Sequence, residues 1–168
     1  MNQNTGQMNL QNIKKRYLQI SIGMVYLWFG ALKFFPNLSP AEELAKSTIG
    51  ELTFSMIPSS ISIQLLAFWE VLVGLFFLIN LQKKLSIRVA IVHMLLTFTP
   101  LFIFPELIFN ENLLTLTLLG QYIIKNLIIL GALGVLWMEV TQEVSASKEI
   151  EEGLTGSEVN LKRNFRLR

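Results

Sequence analysis

The sequence predicts an all-α integral membrane protein: a four-helix bundle with both termini cytoplasmic and a short surface helix in its first outer loop. Three observations carry that expectation. First, 52% of the 168 residues are apolar and 15% are charged, whereas a soluble globular domain has about 45–50% and about 25%. Second, the apolar residues gather in four blocks, 17–35, 62–81, 86–104 and 121–138, each about the length that crosses a bilayer core. Third, Lys and Arg alternate between the connections. Lys14, Lys15 and Arg16 precede the first block, and Lys83, Lys84 and Arg88 flank the short turn between the second and third. The two long loops hold Glu42, Glu43, Lys46 and Glu51, then Glu106 and Glu111. Basic residues near span ends mark the cytoplasmic side, which places both termini inside and both long loops outside.

The chain divides into a flank (1–16), a transmembrane domain (17–138) and a charged tail (139–168). The first block is too long for a signal-peptide core, and no small-x-small cleavage pattern follows it, so it reads as an uncleaved helix. Continuous apolar runs without period-2 alternation select helices over a barrel, because backbone polar groups in hydrocarbon must be satisfied within each segment. Ser39-Pro40-Ala41-Glu42 reads as an N-cap hydroxyl, a proline at the first helical position and a glutamate at the third. Leu44, Thr48, Leu52 and Ile49 then form one stripe of a short helix lying on the outer surface. Gln82–Leu85 is short enough to force an antiparallel hairpin. The tail has six glutamates and one lysine over 139–158. It is expected to prolong helix four and fray at Gly153 and Gly156, with Leu161, Phe165 and Leu167 in the basic end resting on anionic lipid or solvated.

Zero cysteines exclude disulfides, thiol redox chemistry and iron–sulfur clusters, and a single histidine, His93, excludes a bis-histidine haem and most zinc sites. No metal site is expected. A hydrolytic triad is excluded because the chain has no aspartate. Nucleic acid is not an expected partner, since the net charge of +2 lies along membrane flanks.

The informative residues are the ionisable ones inside the spans, since a charge near the bilayer centre costs about 2.5–3.5 kcal/mol on insertion scales. They are Lys33, Glu70, His93 and Lys125, one from each helix. At about 1.5 Å per residue they lie about 3, 12, 16 and 6 Å from the outer ends of their spans. Tyr26, Gly30 and Lys33 share a face, as do Ala67, Glu70 and Gly74, and Ala90, His93, Thr97 and Pro100. On helix four Gln121 and Lys125 are four apart, beside Tyr122 and Asn126. Lys33, Glu70, His93, Thr97, Gln121, Tyr122, Lys125 and Asn126 are therefore the candidate ligand-binding residues; no catalytic residue is assigned. Bland readings stand beside this one. Lys33 can snorkel to headgroups, Glu70 can pair with a lysine to tie helix two to helix four, and His93 can simply join helices by a hydrogen bond.

The segments GALKFFPNLSPAEELAKSTIGELTFSMIP, AFWEVLVGLFFL, HMLLTFTPLFIFPELIF and LTLLGQYIIKNLIILGA resemble the DoxX-like family of small bacterial membrane proteins. The resemblance runs in order from about residue 17 to 138 and includes every intramembrane ionisable position. Leu119 stands where the family often has an acidic residue before Gly120-Gln121-Tyr122. The resemblance implies a four-helix bundle in the bacterial cytoplasmic (inner) membrane, acting as a membrane partner of redox or stress-response proteins.

Three functions follow as expectations. The first is a membrane partner or anchor in a redox or stress-response system. It would carry a polar pocket near the outer leaflet for a quinone, a lipid headgroup or an anion. No cofactor is evident in the chain itself, and a bound quinone or a partner subunit would have to carry the electrons. On this reading it is at most the membrane subunit of a quinone-linked oxidoreductase. The second is a transporter or channel subunit, completed by homo-oligomerisation, with Glu70 and His93 as a relay; no broken helix is evident in the sequence. The third is a structural scaffold. The lipid bilayer is a partner in all three.

Overall fold

Why the first helix stops where it does follows from its final residues. A computed structural model describes residues 3–111 and 114–166, with side chains for 10–111 and 114–147. In it α1 covers Gln3–Leu32, shorter at this end than the block 17–35. Lys33, Phe34 and Phe35 instead form a tightening turn whose amides donate to carbonyls three residues back, at 3.1–3.2 Å. Pro36 explains this, because the residue before a proline is pushed out of the helical region, and Asn37 then turns left-handed at φ 65°.

α2 covers Glu42–Leu52. The expected capping box does not form. Ala41 stands at the cap and makes no side-chain capping bond, while the Ser39 hydroxyl is buried without a hydrogen-bond partner. Glu42 takes over by accepting from the Asn37 amide at 2.8 Å and from Lys46 Nζ at 2.8 Å. Leu44 and Thr48 are buried while Leu52 stays exposed. α2 therefore lies against α3 and α5 rather than on an open surface.

α3 covers Ser59–Ile79, and the left-handed Asn80 ends it. Its last carbonyls would be orphans, but the Arg16 guanidinium donates to Phe77 O (3.2 Å) and Leu78 O (2.5 Å). α4 covers Lys83–Leu96 and α5 covers Pro100–Ile103. The expected single helix over 86–104 is broken at Thr97–Thr99, where the amides of Phe98 and Thr99 bond three residues back. Pro100 has no N–H to continue the ladder and its ring crowds the carbonyl of Leu96. Thr97 and Thr99 hydroxyls cover the freed carbonyls of Met94 (2.6 Å) and Leu96 (2.8 Å).

α6 is the short turn Pro105–Ile108, followed by a lone bridge between Phe109 and Leu116. α7 covers Leu118–Ile124, capped by the Thr117 hydroxyl accepting from Gly120 N. α8 covers Asn126–Arg166. Lys125 is a one-residue irregularity between α7 and α8, where the expected fourth helix is continuous. The α8 backbone also passes through Gly153 and Gly156 without the expected fraying. The side chains of Leu161, Phe165 and Leu167 lie outside the described residues.

The described residues contain no strand and three stretches long and apolar enough to cross a membrane: Ser59–Ile79, Lys83–Ile103 and Leu118–Ser147. α1 falls outside this group because it ends at Leu32, so that any eighteen-residue stretch within it takes in Lys15 and Arg16 or residues before them. It packs along α3, and α4 packs on α8. The main core joins Ile22 and Tyr26 of α1, Val73 and Phe77 of α3, Ile87, Ala90 and Met94 of α4, and Leu133, Leu136 and Val140 of α8. Small residues bring α1 and α3 into backbone contact. A Cβ on Gly74 would fall 2.7 Å from Leu27 N, and one on Gly30 would fall 2.8 Å from Glu70 Cβ.

Candidate functional site

Beyond the main core the helices separate around a cavity of about 500 Å³, within the range of small-molecule sites, about 300–1,000 Å³. Its walls are mostly apolar, with Val25 and Phe29 from α1, Leu44 and Ile49 from α2, and Ile128 and Ile129 from α8 among them. The polar groups are few and arranged on two sides.

On one side is a buried chain of hydrogen bonds and charges. Lys33, just past the end of α1, reaches Glu70 Oε2 on α3 at 2.6 Å and also donates to Phe29 O at 3.3 Å. The other carboxylate oxygen, Oε1, faces His93 Nε2 of α4 at 3.5 Å. His93 Nδ1 lies 3.2 Å from the Tyr26 hydroxyl, which in turn lies 3.2 Å from Ala90 O. Lys33, Glu70, His93 and Tyr26 are each less than 10% exposed. Helix phase explains the convergence, since Tyr26, Gly30 and Lys33 occupy one stripe and Gly30 lets α3 come close enough to present Glu70 to it.

On the other side is Lys125. Its Nζ sits 3.7 Å from the Tyr122 ring centroid and 4.7 Å from that of Phe29, and those rings meet edge-on, with centroids 5.8 Å apart. A cation over aromatic faces is attracted by the ring quadrupole. Among the described residues Lys125 has no carboxylate within ion-pair distance. Asn126 Nδ2 donates to Thr97 Oγ1 at 3.3 Å and joins the two interrupted helices at the cavity wall.

Seven of the eight residues singled out from sequence therefore line one cavity: Lys33, Glu70, His93, Thr97, Tyr122, Lys125 and Asn126. Gln121 does not. It is exposed and its amide donates to Leu116 O at 3.3 Å. The partner of Glu70 also differs from expectation. It is Lys33 that closes the pair, so the ionic tie joins the end of α1 to α3 rather than helix two to helix four. Lys33 accordingly turns inward instead of snorkelling. Sequence reasoning passed over Tyr26 as a site residue, although its place on the Lys33 stripe was the available signal. It also missed Phe29 and the α2 wall, for which no sequence signal separates cavity lining from ordinary packing.

Among the described residues no cluster of three His, Cys, Asp or Glu side chains could hold a metal. Chemically the cavity offers apolar enclosure, an unpaired ammonium, an amide, and a charge-balanced network able to hold or move a proton. No family model, curated protein or solved structure matches the chain.

Proposed function

We propose that the chain is a DoxX-like integral membrane protein of the bacterial cytoplasmic membrane, serving as a membrane partner in a redox or stress-response system. On this reading α1 is a fourth crossing helix and both termini are cytoplasmic. Supporting it, Arg16 meets the end of α3, Lys15 pairs with Glu143 at 2.9 Å and Arg88 lies over Trp137 at 5.0 Å. The basic residues of the flank and hairpin thus gather at one end of the bundle, as cytoplasmic anchors do. The cavity lies toward the opposite end, in the outer leaflet.

The observation that carries the function is the pairing of an apolar enclosure of about 500 Å³ with the ammonium of Lys125, which has no carboxylate partner among the described residues, and the neighbouring Asn126 amide. That combination suits the ring of a quinone, whose carbonyl oxygens require donors within apolar surroundings. When bound, the quinone supplies electron-carrying chemistry. Lys125 and Asn126 hold its polar edge, and the walls exclude water. Lys33 is taken up by Glu70 and does not bind the ring. A second reading rests on the unpaired charge of Lys125, which would equally hold an anionic lipid headgroup.

Native mass spectra of the protein in mild detergent test both. A co-purified quinone in the wild type that is lost from Lys125→Ala supports the first reading. A bound acidic lipid lost from the same variant moves the assignment to the second. Spectra without any bound species, identical in both proteins, would overturn the pocket as a ligand site.

A further inference from the structure

His93 is the only histidine in the chain, and both of its ring nitrogens face a polar group in a buried setting. Nε2 faces a carboxylate oxygen that only accepts, 3.5 Å away. A neutral ring therefore carries its one proton on Nε2, and the lone pair of Nδ1 must be met by the Tyr26 O–H at 3.2 Å. The same hydroxyl has a second acceptor at the same distance, Ala90 O, which already belongs to the α4 ladder and so does not depend on it.

This gives Tyr26 two satisfied positions. With its O–H on Nδ1 the ring is neutral. With its O–H on Ala90 O, its oxygen is free to accept from an Nδ1–H, and the ring then carries two protons with Nε2 at ion-pair distance from Glu70. Neither proton count leaves Nδ1 or the Tyr26 hydroxyl without a partner.

We propose that Tyr26, His93 and Glu70 form a proton-binding site in the cavity wall. A hydronium ion entering from solvent gives up a proton, its O–H bond breaking to leave water, and an Nδ1–H bond forms while the Tyr26 O–H turns from Nδ1 to Ala90 O. Nothing is oxidised or reduced. The charged and titratable groups around the ring are Tyr26 from α1, Lys33 from the turn after it, Glu70 from α3, and Tyr122 and Lys125 from α7 and its junction with α8. α2 and its cap residue Ala41 bring no titratable group to the cavity wall, only Ala41, Leu44, Ala45, Thr48, Ile49 and Leu52. Lys33 occupies Glu70 Oε2, which leaves Oε1 as the counter-charge for the doubly protonated ring. The site needs no cavity occupant, so it stands or falls apart from the ligand reading above.

Nitrogen NMR on the full chain in lipid nanodiscs, with labelled histidine, reads this site directly because one residue gives all the signal. The Nε2–H tautomer is expected at neutral pH, converting reversibly to the doubly protonated ring on acidification. Removing an opposite charge at this range moves a protonation equilibrium by about 1–3 pH units. In Glu70→Gln the doubly protonated fraction at a fixed acidic pH should therefore fall about tenfold or more. Tyr26→Phe should also lower it, because the Nδ1–H loses its acceptor. An Nδ1–H tautomer in the neutral wild type would overturn the proposal. So would titrations that coincide in wild type and Tyr26→Phe, or a ring that takes no second proton before the helices melt. If Glu70→Gln does not fold, the wild-type tautomer and Tyr26→Phe still decide.

Discussion

The same two helices, α1 and α3, meet in two different ways along their length. Around Gly23 and Gly74 they touch backbone to backbone, with Ile22, Val73 and Phe77 packed beside them. Around Gly30 and Glu70 they are just as close, but the contact is completed by an ion pair and opens onto a cavity. Dry packing binds the first region and needs no charge. The second region keeps a charge pair that a pair of well-packed apolar residues could replace without loss of stability. The polar chemistry sits where packing lapses, and the lapse leaves room for a ligand.

The largest expected effect comes from breaking the pair on one side. Lys33→Met leaves a carboxylate buried and uncompensated, and about 3–5 kcal/mol of stability should be lost, measured by unfolding in detergent. Adding Glu70→Leu to that variant should restore most of it; a double variant as unstable as the single one would show that the pair itself is needed for folding. Next is Gly74→Leu, which forces a side chain into Leu27 N and Gly23 O. A loss of about 1–3 kcal/mol is expected, with the α1 amides opening to hydrogen exchange.

A smaller effect concerns α2. The Lys46 ammonium, and after it the Asn37 amide, hold the Glu42 carboxyl below the usual glutamate range. A depressed folded-state value means that the stabilisation is complete above the ordinary glutamate value. It is lost as pH falls through the depressed one. Exchange of α2 amides should quicken on acidification, and Glu42→Gln should abolish that pH step. The smallest effect is at Lys15–Glu143, a partly exposed pair whose double-mutant coupling should be about 1 kcal/mol or less and should shrink with added salt.

Helix positions and the inward stripes were legible in the sequence because period and small-residue spacing are local properties. Tyr26, Gly30 and Lys33 needed only the helical repeat to share a face. Which lysine meets Glu70 was not legible, because it depends on how α1 is rotated against α3 and on the helix ending at Leu32 rather than Phe35. The break at Thr97–Thr99 could have been read from Pro100, yet the apolar run across it hides a backbone change. Ser39 shows the converse error. Its local pattern matches a capping box, but the cap falls two residues later, at Ala41, and the hydroxyl makes no capping bond. Gln121 lies one regular turn before Lys125, but its side chain turns to the preceding loop instead.

The two interruptions, at Thr97–Thr99 and at Lys125, fall at one level and are tied by the single bond from Asn126 to Thr97. Across the cavity from them, α1 and α3 are fused by glycine contacts and have no interruption. The enclosure thus sets a wall of continuous helices, held backbone to backbone, against a wall of interrupted ones tied by a side-chain bond.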